Sequence, residues 1–283
     1  MKWLKRFGRL FLAVLVSWLV FAQFAMKFRI SDNRAKKKFA KKGVKLFTET
    51  ISAGGFDLHY AKTGSDTLPT LFFVHGSPGG WIKFMRYMYD KDLLEKYRMV
   101  AVDRPGFGYS EFGHVKNLQQ QSDIIRVLLK KIQNGKPVYA AGRSYGGPMI
   151  IKLAIDNPGM FAGLVLIAAA LDPAAEKPEK WRPVVYRSPL KYLLPGAWRT
   201  SNQELWYLKN ELKDLVIKLP DITCPVYILH GDKDRLVPVS NAAFAKKMLV
   251  NARSVSVTII PGANHFVSDH HYTLVKETLL KLN

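Results

Sequence analysis

An α/β fold with a mostly parallel sheet is predicted by three observations. From residue 56 onward, short β-rich runs alternate with helical patterns. Several of those runs are apolar without a break, as strands buried on both faces should be. The residues able to do chemistry collect just after four of the runs, where open parallel sheets place their ligands.

The N-terminal part stands outside this alternation. Residues 10–26 form a run of 17 residues without a charge, in which only Ser17 and Gln23 are polar. As a helix the run would span about 25 Å, the short end for a bilayer core, and flanking basic side chains can snorkel to make up the difference. Residues 1–27 are therefore read as an uncleaved single-pass membrane anchor. A cleaved signal peptide is the alternative, with Lys2, Lys5, Arg6 and Arg9 as its basic start and Val20-Phe21-Ala22 as a cleavage site. Nine Lys and Arg follow within residues 27–45, against four before the run. That balance favours a cytoplasmic catalytic domain. A short basic N-terminus can override it, because long domains translocate largely regardless of charge, so the side stays open. Residues 28–50 are read as a basic linker, with Lys36-Lys37-Lys38 and Lys41-Lys42 near lipid headgroups.

Residues 51–283 are read as one domain, of a size that buries a large core. Strands are predicted at 56–61, 70–75, 99–102, 137–141, 163–168, 225–230 and 255–260. Helices are predicted at 118–132, where Ile124, Ile125, Leu128 and Ile132 share a face, and at 148–155, 241–249 and 272–282. Residues 172–220 break the pattern. They hold no strand-like run but many aromatics: Trp181, Tyr186, Tyr192, Trp198, Trp206 and Tyr207. Ser201-Asn202-Gln203-Glu204 reads as a capping box opening a helix with Leu205, Leu208, Leu212 and Leu215 on one side. This is a small helical insertion between two strands.

The net charge of +21 invites a nucleic-acid partner, but its distribution argues against one. Residues 1–50 hold 13 Lys and Arg against 2 Asp and Glu, so over half of the excess lies in under a fifth of the chain. No nucleic-acid-binding signature accompanies it. The single cysteine, Cys224, excludes an intramolecular disulfide framework and offers no metal cluster. No metal or organic cofactor is expected.

Gly142-Arg143-Ser144-Tyr145-Gly146 lies between a strand and a helix. Glycines at i−2 and i+2 let the chain turn sharply and push a serine hydroxyl into the open. A serine nucleophile needs a base, an acid to hold that base, and donors for the oxyanion. His265, in a turn after the last strand, is the candidate base. Asp234, in the turn after the strand at 225–230, is the candidate acid. The oxyanion donors would be the backbone amide of Tyr145 and one from the early loop His75-Gly76-Ser77-Pro78-Gly79-Gly80. Pro78 has no N–H, so Ser77 is the better candidate.

These landmarks, with Asp103-Arg104-Pro105-Gly106-Phe107-Gly108-Tyr109-Ser110 and Gly231-x-x-Asp234, make residues 56–283 resemble the α/β-hydrolase superfamily, in its serine-esterase and C–C-hydrolase branch. The resemblance implies an eight-stranded sheet whose second strand is antiparallel, and a helical lid after the sixth strand, which the insertion at 172–220 fits. It implies a serine hydrolase acting through an acyl-enzyme. Joined to the apolar N-terminal run this reads as a membrane-anchored enzyme, and the anchor and the aromatic insertion suggest a small ester or lipid-like substrate. The Gly-x-x-Asp spacing favours Asp234 over Asp232, and Asp172 is the remaining alternative. His75 and the 103–110 segment are read as holding the loops around the site. His59, His114, His270 and His271 are read as structural or surface residues. Arg143 departs from the family pattern: it could bind an anionic substrate group or form an ion pair inside the fold. Trp181, Trp198 and Trp206 could line an acyl pocket or pack the lid. The rival readings are an aminopeptidase of the proline-iminopeptidase type, a dehalogenase or epoxide hydrolase, and a non-catalytic binding protein on the same scaffold. Serine instead of aspartate at 144 argues against the second, and the intact set of candidates against the third.

Overall fold

In the computed structural model, which describes residues 2–177 and 179–283, eight strands form one sheet. They are β1 (Phe47–Ala53), β2 (Phe56–Thr63), β3 (Thr70–Val74), β4 (Arg98–Val102), β5 (Val138–Arg143), β6 (Gly163–Ile167), β7 (Val226–Gly231) and β8 (Val255–Ile260). Their order is β1-β2-β4-β3-β5-β6-β7-β8. β2 is antiparallel to β1 and β4, and every other pairing is parallel. The predicted fold class therefore holds, including the antiparallel second strand. The sequence reading missed β1. It is an edge strand with mostly exposed residues, so its sequence is polar and looks like linker.

The helices are α1 (Lys2–Phe24), α2 (Asp32–Ala40), α3 (Met85–Met88), α4 (Lys91–Lys96), α5 (Leu118–Lys131), α6 (Gly146–Asp156), α7 (Trp181–Tyr186), α8 (Ala197–Val216), α9 (Ser240–Met248), α10 (Val267–His270) and α11 (Tyr272–Leu280). Every residue of β3, β4, β5 and β6 is buried. Alternation within the strands divides the apolar side chains between two layers. Phe72, Val100 and Ala140 pack with α5 and α6, while Leu71, Phe73 and Met99 pack with the α4 and α11 side. Burial on both faces explains the unbroken apolar runs.

The segment read as a basic linker at 28–50 is corrected here. It contains α2 and the start of β1. Ala35 and Phe39, four residues apart on one helical face, are fully buried, and Phe39 packs against Trp81 and Tyr89. The lysines occupy the remaining faces and mask this short apolar stripe in the composition.

The lid at 172–220 carries α7, a short 3₁₀ turn at Pro189–Leu193, and α8. The capping box predicted at Ser201–Glu204 is also corrected. α8 begins a turn earlier, at Ala197, so Ser201 and Glu204 lie inside the helix and their side chains bind other elements. A real capping box opens α5, where Asn117 and Gln120 exchange side-chain and backbone bonds.

α1 is long and apolar enough to cross a membrane, and only Ala22 in it is buried. Its C-terminal end rests on the lid. Trp18 Nε1 donates to the Leu193 carbonyl at 3.0 Å, Gly196 N to the Ala22 carbonyl at 2.9 Å, and Arg199 Nη2 to Gln23 Oε1 at 2.8 Å.

The lid is fastened to the sheet by a buried ion pair. Arg104 and Glu204 meet through two bonds of 2.9 Å and are essentially without solvent exposure. Removing one partner of such a pair leaves an unpaired buried charge. Glu204→Ala is expected to lower stability by about 3–5 kcal/mol. Lys131→Ala, which breaks an exposed pair with Glu49, should cost less than about 1 kcal/mol. Urea unfolding midpoints of the two variants check the difference.

Candidate active site

β5 ends at Arg143, and the chain turns at once into α6. Ser144 occupies the turn with φ of +53°, a left-handed conformation that strains any residue with a Cβ. Its amide donates to the Ile167 carbonyl at 2.9 Å, which fixes it against β6. The flanking glycines are a steric requirement. A Cβ on Gly142 would lie 2.2 Å from the Gly146 carbonyl oxygen, and one on Gly146 would lie 2.1 Å from that of Val74. From Val138 through Leu153, Ser144 is the one residue that is not buried.

The loop after β3 runs alongside this turn. A Cβ on Gly76 would stand 2.9 Å from Ser144 Cβ and 3.5 Å from its Oγ. Ser77 follows, partly exposed, and its hydroxyl donates to Ser201 Oγ on the lid at 2.8 Å. His75 holds the loop. It is buried, its Nδ1–H donates to the Gly76 carbonyl at 2.7 Å, and its Nε2 accepts from the Arg104 amide at 2.9 Å. Burial first, and the Arg104 charge second, push its pKa well below the usual value, so the ring is neutral.

Asp234 and His265 come from the turns after β7 and β8. Those turns are pressed together: a Cβ on Gly231 would lie 2.2 Å from the Ala263 carbonyl oxygen. His265 Nδ1 donates to Asp234 Oδ2 at 2.7 Å, and both residues are buried. The other carboxylate oxygen, Oδ1, accepts from the amides of Leu236 at 2.9 Å and Val237 at 2.8 Å. Burial works against the Asp234 charge, but His230, His265 and the Val237 amide outweigh it and hold the carboxyl well below the usual carboxylate range. The bond on Nδ1 leaves Nε2 of His265 as the nitrogen free to accept a proton. Among the described residues no hydrogen bond joins Ser144 to His265. Such bonds commonly tighten only with substrate bound. The alternative acids are engaged elsewhere: Asp232 accepts from the Gly262 amide and Asp172 from the Ala174 amide.

Tyr145, the other candidate oxyanion donor, has a fully enclosed side chain. The Arg104 guanidinium lies 4.3 Å from its ring centroid, and its hydroxyl donates to Glu211 Oε2 at 3.0 Å. Glu211 borders a cavity of about 540 Å³ between α5 and α8 that contains none of Ser144, Asp234 and His265. Burial raises the Glu211 pKa to about 7.

Arg143 is 6% exposed and donates from Nη1 to Asp269 Oδ2 at 2.6 Å, beside the Phe266 ring. Its guanidinium has a partner within the fold. Trp181 and Trp198 are each nearly half exposed on the lid, and Trp206 is partly exposed. His59, given no role from sequence, bridges Asp103 at 3.0 Å and Asp32 at 3.3 Å. Sequence reasoning also missed Ser201, Glu204, Glu211 and His230 as residues around the site. Polar residues spaced three, seven and ten apart on a lid helix were the available signal for the first three.

Comparison with known proteins bears on the family and the fold. The sequence pattern of the alpha/beta hydrolase family matches residues 71–277. Epoxide hydrolase 1 of Caenorhabditis elegans is 27% identical over 59% of this chain, a stretch that is only 37% of that protein's length. Human monoglyceride lipase is 25% identical over 69% of this chain and 74% of its own. Among solved structures, a bacterial membrane phospholipase A superimposes with a TM-score of 0.62 at 20% identity, covering 99% of this chain and all of that one.

The depressed Asp234 pKa fixes the sign of an acid effect. Its charged form stabilises the folded chain above the unfolded carboxyl value of about 4, and that contribution fades as pH falls further toward the lower folded value. Asp234→Asn is expected to be less stable at neutral pH and to lose less stability than the wild type between about pH 4 and pH 2. Equal slopes for the two proteins in urea titrations across that range would refute the assignment.

Proposed function

The chain belongs to the alpha/beta hydrolase family, and from that premise we propose that it is a serine hydrolase cleaving a carboxylic ester through an acyl-enzyme. The observation that carries this reading is the 2.7 Å contact between Asp234 and His265, set at the same carboxyl edge of the sheet as the one unburied residue of the elbow, Ser144. His265 Nε2 takes the Ser144 proton as Oγ attacks the ester carbonyl. Asp234 keeps the proton on Nδ1 and stabilises the imidazolium that forms. The amides of Tyr145 and Ser77 hold the oxyanion. His265 then protonates the leaving alkoxide, and water activated by the same ring releases the acid.

We place a membrane anchor at residues 1–27, supported by the length and apolar surface of α1. An ester of lipid-like character suits that location. It accords with two similar proteins, a monoglyceride lipase and a membrane phospholipase A. A serine at position 144 argues against epoxide hydrolysis. A serine attacking an epoxide would give an ether, which water cannot release, whereas a carboxylate nucleophile gives a cleavable ester. A proline-iminopeptidase-like activity remains the second reading, on the His75–Gly80 loop.

Labelling with a fluorophosphonate probe tests the proposal. Wild type should be modified and Ser144→Ala should not, and Ser144→Ala should lose about 10⁴-fold or more in kcat on a p-nitrophenyl ester. Folded wild-type protein that resists the probe would sink the claim. Faster turnover of proline anilides than of esters would favour the peptidase instead.

A further inference from the structure

One face of the lid helix α8 bonds to the side chains of both proposed oxyanion residues and to Arg104 between them. Ser201, Glu204 and Glu211 lie three and seven residues apart, so their side chains share a stripe. Ser201 Oγ accepts the hydroxyl of Ser77 at 2.8 Å. Glu204 takes two bonds from Arg104, whose remaining N–H groups donate to Gln121 Oε1 at 2.8 Å and to the carbonyls of His75 at 2.9 Å and Gly76 at 3.2 Å. The peptide unit between Gly76 and Ser77 joins that carbonyl to the Ser77 amide, so Arg104 sets the plane of one donor directly. Glu211 reaches the other donor from behind. Its Oε2 accepts the Tyr145 hydroxyl at 3.0 Å and its Oε1 the Leu118 amide at 3.2 Å. Tyr145 is thus held at its hydroxyl by Glu211 of α8, which α5 bonds in turn, and on its ring face by Arg104.

This arrangement is more than a lid covering a site needs. A carboxylate bordering a cavity of about 540 Å³ could be solvated there. It is instead spent on the side chain of the residue whose amide follows the nucleophile. We propose that Glu211 and Ser201 are positioning residues, through which α8 aligns the two oxyanion donors, the amides of Tyr145 and Ser77. The proposal rests on the serine-hydrolase reading above. The donors act on charge that appears only in the transition state, so misaligning them lowers kcat and leaves KM in place. A displacement well under a hydrogen-bond length is enough, since shifts of about 1 Å can cost about 100-fold.

The test uses the full chain with a p-nitrophenyl ester and a fluorophosphonate, whose phosphoryl oxygen enters the same pocket. Glu211→Ala and Tyr145→Phe should each lower kcat and the inactivation rate about tenfold or more with KM unchanged. Their double variant should be no worse than either single, because both break one contact. Glu211→Gln, which keeps an acceptor for the tyrosine, should recover most of the rate. Ser201→Ala should show the same kcat-only loss, smaller in size. Circular dichroism separates these losses from unfolding, and Tyr145→Phe removes a single oxygen in case Glu211→Ala does not fold. Folded Tyr145→Phe with kcat within twofold of wild type overturns the proposal, as do independent, additive losses. A wild type that neither turns over ester nor takes the probe overturns the serine-hydrolase reading itself, and this inference with it.

Discussion

The guanidinium of Arg104 is the group on which the site depends. All five of its N–H donors are used inside the protein, on Glu204, Gln121 and the carbonyls of His75 and Gly76. Burying that charge is expensive unless every donor is met. The pair with Glu204 ties the lid to the sheet. The bonds to His75 and Gly76 shape the loop after β3, and the stacking on Tyr145 fixes the start of α6. A single buried cation therefore aligns three segments that are distant in sequence.

The elbow at Ser144 shows the opposite economy, in which geometry is enforced by exclusion. Its positive φ costs about 1–3 kcal/mol and persists only because its surroundings admit no relaxation. The carbonyls of Val74 and Gly146 occupy the space that side chains at 146 and 142 would need. The same crowding places the loop after β3 against Ser144, where a Cβ on Gly76 would stand 2.9 Å from that of the serine. On the far side, the paired turns after β7 and β8 bring Asp234 to His265 by an equally close backbone approach at Gly231.

α1 joins this assembly through hydrogen bonds to the lid. Its last turns bond to the 3₁₀ turn at Pro189–Leu193 and to the start of α8. The helix that carries Ser201, Glu204 and Glu211 thus has one end on an apolar, solvent-facing helix and its body on the site. The lid bonds both to the N-terminal helix and, through Glu204, to Arg104 beside the carboxyl edge of the sheet.

Strand periodicity and the Gly-x-Ser-x-Gly turn were legible in the chain, because each is a local pattern written in consecutive or near-consecutive residues. So were seven of the eight strands, most plainly β3 to β6, which are buried at every residue and so read as largely apolar runs. β1 was not legible, since an edge strand exposes polar residues that resemble linker, and α2 was hidden by its lysines. Ser201 and Glu204 read as a helix start because the spacing of a capping box is also the spacing of two residues on one helical face. Only the tertiary structure could decide between those uses. The partner of Glu204 is Arg104, a hundred residues away, and the pairing of Arg143 with Asp269 spans a similar distance. The sequence by itself determined the fold class and which residue types could do chemistry. The packed structure decided which of them meet, because a buried charge takes its partner from whatever the fold brings within hydrogen-bond reach.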